Sequence, residues 1–229
     1  MKGLTWHHRN RTVAPMVHID VYADPVCPWC FIGKRRLERT LAARDDVAAT
    51  VTWRPFQLNP EMPAEGMSQA VYLRSKFGGL ERAAKFHDVI AEAGRSERIA
   101  FDFGAIRHTP NTLDAHRLIR FAGAHGRQNE IVEALFSAYF LTGENIGDHG
   151  VLARIAYTAG LDGYAVKAYL ASKADQPEVA AEDLRARRMS IDAVPCFIVN
   201  GQYAISGAQE PEAFFPLLDL ANFSQQAAE

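Results

Sequence analysis

Three cysteines in 229 residues are too few for a disulfide framework, and their odd count leaves at least one unpaired. A formal charge of −2, from 25 basic and 27 acidic side chains, gives no basic excess for nucleic acid or an anionic membrane surface. No apolar run approaches the length of a membrane span, roughly 20 residues. The first sixteen residues are polar and basic, with His7-His8-Arg9-Asn10-Arg11, and no apolar core of a secretory signal follows them. A cytoplasmic protein is expected, with residues 1–16 a poorly ordered extension. There is no internal repeat and no low-complexity segment. What is present is 48% hydrophobic residues, enough for one large domain or one domain with an insertion.

Two of the three cysteines stand in Cys27-Pro28-Trp29-Cys30. A β-rich run over residues 17–23 and an Asp24-Pro25 turn precede the pair. Pro28 sits where a helix would begin, since Pro is favoured at the first helical position. Cys27 then becomes the cap residue, beside unpaired N–H groups at the positive end of the helix dipole. A thiolate there is stabilised, so its pKa is expected below the free value of about 8.5. Cys30, Gly33, Leu37 and Leu41 share one helical face and are expected to pack inward. The sulfurs therefore differ: Cys27 is expected to be exposed and nucleophilic, and Cys30 covered and able to resolve a mixed disulfide. The rival reading of a Cys-x-x-Cys, half of a zinc site, needs about four ligands. Only Cys196 remains, and none of the eight histidines forms a His-x3–5-His pair, so no metal is expected. A pair that follows a strand and opens a helix is the setting of a redox motif.

Residues 48–56 read as a second strand ended by Pro55, and 57–66 as a loop. Helical patterns then run for more than a hundred residues. Ala70, Leu73 and Phe77 mark one helix, broken at Gly78-Gly79. Ala83, Phe86 and Ile90 mark the next, expected to stop at Gly94. Later helices follow Asn111-Thr112, carry Ile131 and Leu135, open at Asp148, and cover 164–170 and 177–189. Strand character returns over 194–199. Asn200-Gly201 is a strong hairpin signal, and 202–206 is the returning strand. A closing helix is expected over 210–220. The order β-α-β, helices, β-β-α predicts an α/β thioredoxin fold with a large all-helical insertion. Residues 17–62 and 190–222 form the thioredoxin-like part and 63–189 the insertion.

In that fold the segment Val194-Pro195 lies beside the start of the first helix. Position alone does not fix the isomer, since cis is only about 5–6% of X–Pro bonds. Together with the cysteine pair and the hairpin it points to cis, which leaves Val194's backbone groups free to meet a substrate. Pro28 and Trp29 are the other candidate substrate contacts; Trp29 reads equally as a ring packing on the helices. Asp24 either makes the turn or acts on the thiols by charge or proton relay. Asp20 is either a buried acid or a salt-bridged or edge residue. Cys196 reads as core, with a third redox thiol as the alternative. Asn111 reads as a cap and His116 as packing.

Several stretches carry a family resemblance. They are Asp24-Pro25-Val26-Cys27-Pro28-Trp29-Cys30 with Gly33-Lys34-Arg35, and Trp53-Arg54-Pro55-Phe56-Gln57-Leu58-Asn59-Pro60. Asn111-Thr112-Leu113-Asp114-Ala115-His116-Arg117-Leu118 and Ser206-Gly207-Ala208-Gln209 complete them. Together they resemble the DsbA-like, FrnE-type oxidoreductases over about residues 17–221. The resemblance implies thiol–disulfide exchange at Cys27 and Cys30, with Pro195 cis. The superfamily is similar to 2-hydroxychromene-2-carboxylate isomerases and kappa-class glutathione transferases, which usually carry serine at the active helix. Cys196 and Ser190-Ile191-Asp192-Ala193 depart from the common pattern, which bears on substrate preference. The expected substrate is a disulfide or dithiol, on a protein or a small thiol. No tightly bound cofactor is implied; glutathione would serve as redox partner or cosubstrate. The alternative is a glutathione-dependent isomerase or transferase acting on a small apolar or aromatic substrate. Apolar residues on the insertion are compatible with a homodimer.

Overall fold

A computed structural model describes residues 16–226; apart from Met16, the expected N-terminal extension lies outside them. Strand β1 (Met16–Ala23) alternates as its sequence does. Val17, Ile19 and Val21 are fully buried, and His18 and Asp20 are half-buried. Asp20 accepts from Arg54 Nε at 2.7 Å, so it is the salt-bridged residue rather than an isolated acid. Helix α1 (Pro28–Ala42) begins at Pro28 with Cys27 as its N-cap, and β2 (Ala48–Pro55) runs parallel to β1.

The middle of the chain holds β3 (Met67–Ser68), α2 (Gln69–Phe77), α3 (Leu80–Ser96) and β4 (His108–Thr109). Helices α4 (Leu113–Gly123), α5 (Gln128–Thr142), α6 (His149–Thr158), α7 (Gly163–Ala171) and α8 (Gln176–Arg188) follow. The last third has β5 (Cys196–Val199), β6 (Tyr203–Ser206), a 3₁₀ turn at Pro211–Ala213 and α9 (Phe215–Gln226). The main sheet has the order β2-β1-β5-β6, with β5 antiparallel to both neighbours. The first and last thirds of the chain thus share one sheet, as a thioredoxin fold requires. Asn200 and Gly201, with φ of 50° and 67°, turn the β5–β6 hairpin. The Asn200 side chain accepts from His18 N at 2.8 Å.

Three local expectations are corrected. The insertion is not all helical: β3 pairs with β4, strands of two residues each and too short for any periodicity to mark. Gly94 does not stop α3, which continues to Ser96. Its missing side chain makes room for Phe101, since a Cβ there would lie 2.5 Å from that ring. The closing helix starts later, after a 3₁₀ turn, and runs on to Gln226. Among the described residues no helix is long and apolar enough to cross a membrane.

Helix α1 is fastened to the insertion by charge. Lys34, 2% exposed, pairs with Glu38 and, at 2.9 Å, with Glu133 of α5. The buried Glu97 carboxylate, just past α3, meets Arg36 at 3.1 Å and Arg39 at 2.7 Å. Such pairs fix orientation as much as they stabilise, because each buried charge must first be desolvated.

Candidate active site

The turn between β1 and α1 is set by its own backbone. Cys27 N donates to Asp24 O at 2.9 Å, and Cys30 N to Cys27 O at 3.0 Å. Cys27 has extended backbone angles at the N-cap and no side-chain capping bond. The Val194–Pro195 peptide is cis. Cys27 Sγ donates to the Val194 carbonyl at 3.7 Å, across a sequence separation of 167 residues. Gly33 permits this approach: a Cβ there would lie 2.7 Å from Pro195 Cγ, so α1 settles against the start of β5. Cys27, Cys30, Val194 and Pro195 thus converge as their spacing in the fold predicts.

One expectation fails here. Cys27 is not exposed; at 4% accessibility it is nearly as buried as Cys30 at 0%. Its cover is the insertion together with Val194. The sulfur stands at the start of α1 as Pro28 dictates, and the residues that close over it are distant in sequence. Pro28 and Trp29 are half-buried, and both line the resulting cleft, so the Trp29 ring packs on the core and faces the cleft at once.

Burial pushes the Cys30 thiol well above its ordinary value of 9.0. The hydrogen bond and charge of Cys27 add to that rise, while the Asp24 backbone amide opposes it. Between the unfolded and folded values the unfolded chain binds fewer protons, so stability must fall as pH rises through that window. The slope is at most about 1.4 kcal/mol per pH unit. The reduced protein is therefore expected to lose stability above about pH 9 more steeply than Cys30→Ala. Urea midpoints at about pH 7 and pH 10 check this, and parallel losses in the two proteins would refute it.

Asp24 is more than a turn residue. It is wholly buried, accepting from Leu58 N at 2.7 Å and, more weakly, from Val26 N at 3.4 Å. His116, from α4, brings Nε2 to 3.7 Å from the same carboxylate, and that buried nitrogen has no hydrogen bond. Asn111 is not the cap, which is Thr112; one residue earlier, it makes an Asx turn by accepting from Leu113 N at 2.9 Å, and it donates to Met62 O at 2.7 Å. Cys196 is core: it is buried, burial raises its thiol pKa, and Ser206 donates to its sulfur at 3.7 Å.

The sequence reading missed the cleft itself. A cavity of about 280 Å³ opens beside Cys27, between the turn and the helical insertion. Tyr72 and Phe77 of α2, Phe86 of α3, Phe103 and Tyr139 give it an aromatic wall. The Phe86 ring is 40% exposed although the periodicity of α3 pointed it inward; it faces Phe77 at 5.1 Å. His87 stacks on Phe103 at 4.1 Å, and burial lowers its pKa, so the imidazole is held neutral. No local pattern announces such a wall, because its residues come from four separate segments.

Comparison with known proteins agrees with this geometry. Residues 18–218 match the model of the DSBA-like thioredoxin domain. The Bacillus subtilis (strain 168) protein YwbO, itself uncharacterized, is 30% identical over 200 residues, which is 86% of this chain and 94% of that one. The crystal structure of a probable DsbA oxidoreductase from Streptomyces coelicolor superposes with a TM-score of 0.81 at 32% identity, covering 90% of this chain and 89% of the other. The cytosolic disulfide reductase DsbM of Pseudomonas aeruginosa, solved with GSH, shares the fold at a TM-score of 0.54 and 12% identity, over 92% and 98% of the two chains. With the family model spanning nearly the whole chain, this protein belongs to the DSBA-like thioredoxin domain family.

Proposed function

We propose that this oxidoreductase exchanges disulfides through Cys27 and Cys30. The observation that carries the reading is the position of Cys27 Sγ, at the N-terminus of α1 and within 3.7 Å of the Val194 carbonyl that precedes the cis proline. In the proposed cycle the Cys27 thiolate attacks one sulfur of a substrate disulfide. The S–S bond breaks, and the other sulfur leaves as a thiolate with the electron pair. Cys30 then gives up its proton and attacks Cys27 Sγ, releasing the second substrate thiol. The substrate gains two electrons and the protein is left with a Cys27–Cys30 disulfide. The buried Asp24, whose charge raises the Cys30 pKa, is the acid proposed to take that proton at the resolving step. The reverse sequence oxidises a dithiol. The DsbM neighbour solved with GSH supports glutathione as a recycling partner.

The test is equilibration in glutathione buffers followed by thiol trapping and mass analysis. A Cys27–Cys30 disulfide is expected, with Cys30→Ser accumulating a mixed disulfide at Cys27. A midpoint near about −270 mV would make the protein a reductase, and one near about −120 to −180 mV an oxidant or isomerase. If no disulfide forms at any poise, the reading fails. The aromatic cleft favours one second reading, a glutathione-dependent isomerase or transferase. Glutathione binding that persists after both cysteines are changed to alanine would bring it forward.

A further inference from the structure

The cleft has a size and a chemistry of its own. Its volume, about 280 Å³, is at the lower end of small-ligand pockets. That is the space of about nine waters at roughly 30 Å³ each. One substituted aromatic ring fits such a space; a peptide strand with its flanking side chains does not. The lining is chiefly apolar, and it leaves large apolar side chains partly uncovered: Leu73, Phe77, Phe86 and Phe103. Charge is confined to the exposed Lys76 and Asp192, and the polar groups deeper in the cleft are uncharged. His87 is neutral, and burial keeps the Tyr139 hydroxyl protonated. Cys27 itself, 4% exposed, is on the cavity wall, so a disulfide must enter the cleft to meet it.

We infer that the substrate of this site is a low-molecular-weight disulfide, or its thiol, with an aromatic or comparably flat apolar arm, taken in preference to protein disulfides. The inference rests on Cys27–Cys30 exchange and adds the substrate class. The apolar arm fills the space between α2, α3 and Cys27, which aligns one substrate sulfur with Cys27 Sγ. The two electrons come from the Cys27–Cys30 dithiol, and two thiols are released for each disulfide reduced.

The experiment measures the second-order oxidation of the reduced full-length protein by three probes: 4,4′-dithiodipyridine, glutathione disulfide and insulin. Each rate is divided by that of dithiothreitol with the same probe, which removes intrinsic reactivity. The normalised rate is expected to be about tenfold or more higher for the aromatic disulfide than for glutathione disulfide, with insulin slowest. Two plugs test the cavity: Leu73→Trp on half-buried α2, and Ala193→Phe at the exposed rim, where folding is undemanding. Either folded variant is expected to bring the aromatic advantage down toward one. An equal normalised rate for all three probes, or an advantage untouched by both plugs, overturns the substrate class and leaves exchange standing. Failure to react with any probe is a different result, and it removes the exchange reading itself.

Discussion

Cys27→Ser is expected to lose disulfide exchange on the order of 10³-fold or more, the scale of removing a covalent nucleophile. A serine hydroxyl cannot ionise usefully at neutral pH, and no other thiol can take its place. Cys30 is fully buried with its thiol pKa driven upward, and Cys196 is buried in β5 with Ser206 on its sulfur. The measurement is turnover of a glutathione-coupled disulfide assay, with the thermal stability of the variant recorded alongside. Exchange persisting at a tenth of the parent rate would remove Cys27 from the mechanism.

The second large effect is expected far from the sulfurs. Arg117 of α4 is completely buried, and its guanidinium uses every N–H it has. Nε donates to Ala174 O at 2.7 Å, and Nη1 to Asp114 at 2.7 Å and Leu170 O at 3.1 Å. Nη2 donates to Tyr169 O at 2.9 Å and Ser172 O at 3.0 Å. These are carbonyls at the end of α7 and in the chain leading to α8, so the one guanidinium ties α4 to that whole turn. Arg117→Ala is expected to cost about 2–4 kcal/mol, because it removes five hydrogen bonds of a buried cation at once, although Asp114 keeps His149 and the Tyr169 carbonyl keeps Ser172. Arg117→Lys should recover little, as an ammonium has three donors and no fork. Urea unfolding gives the number; a loss under about 1 kcal/mol would mean that the carbonyls find other donors.

How much of this was legible beforehand depends on the range over which each signal acts. Pro28 at the first helical position, the Asn200-Gly201 turn and the alternation of β1 are local, and each fixed its element. The meeting of Cys27 with Val194 followed from recognising the order of elements, not from any pattern between the two residues. Arg117 stood within a stretch quoted for its resemblance, yet nothing around it gave its role, since four of its five partners lie more than fifty residues away. The same holds for His116 beside Asp24, and for the aromatic wall over Cys27. Phe86 is the instructive case. Its spacing with Ala83 and Ile90 is that of a core residue, yet it lines the cleft instead of the core. Periodicity reports which face of a helix is apolar; it does not report whether a neighbour or a ligand covers that face.

The pairing of β1 with β5 has a consequence for how the protein is made. On a ribosome the cysteine pair is synthesised early, but Val194 and the strand that pairs with β1 come only after the whole insertion. At about 5–20 residues per second, extending the chain from Cys30 to Val199 takes on the order of 8–35 s. Throughout that interval two neighbouring thiols ride on a nascent chain whose sheet is not yet closed. Exposure to passing oxidants is then greatest before the molecule has any fold with which to control it.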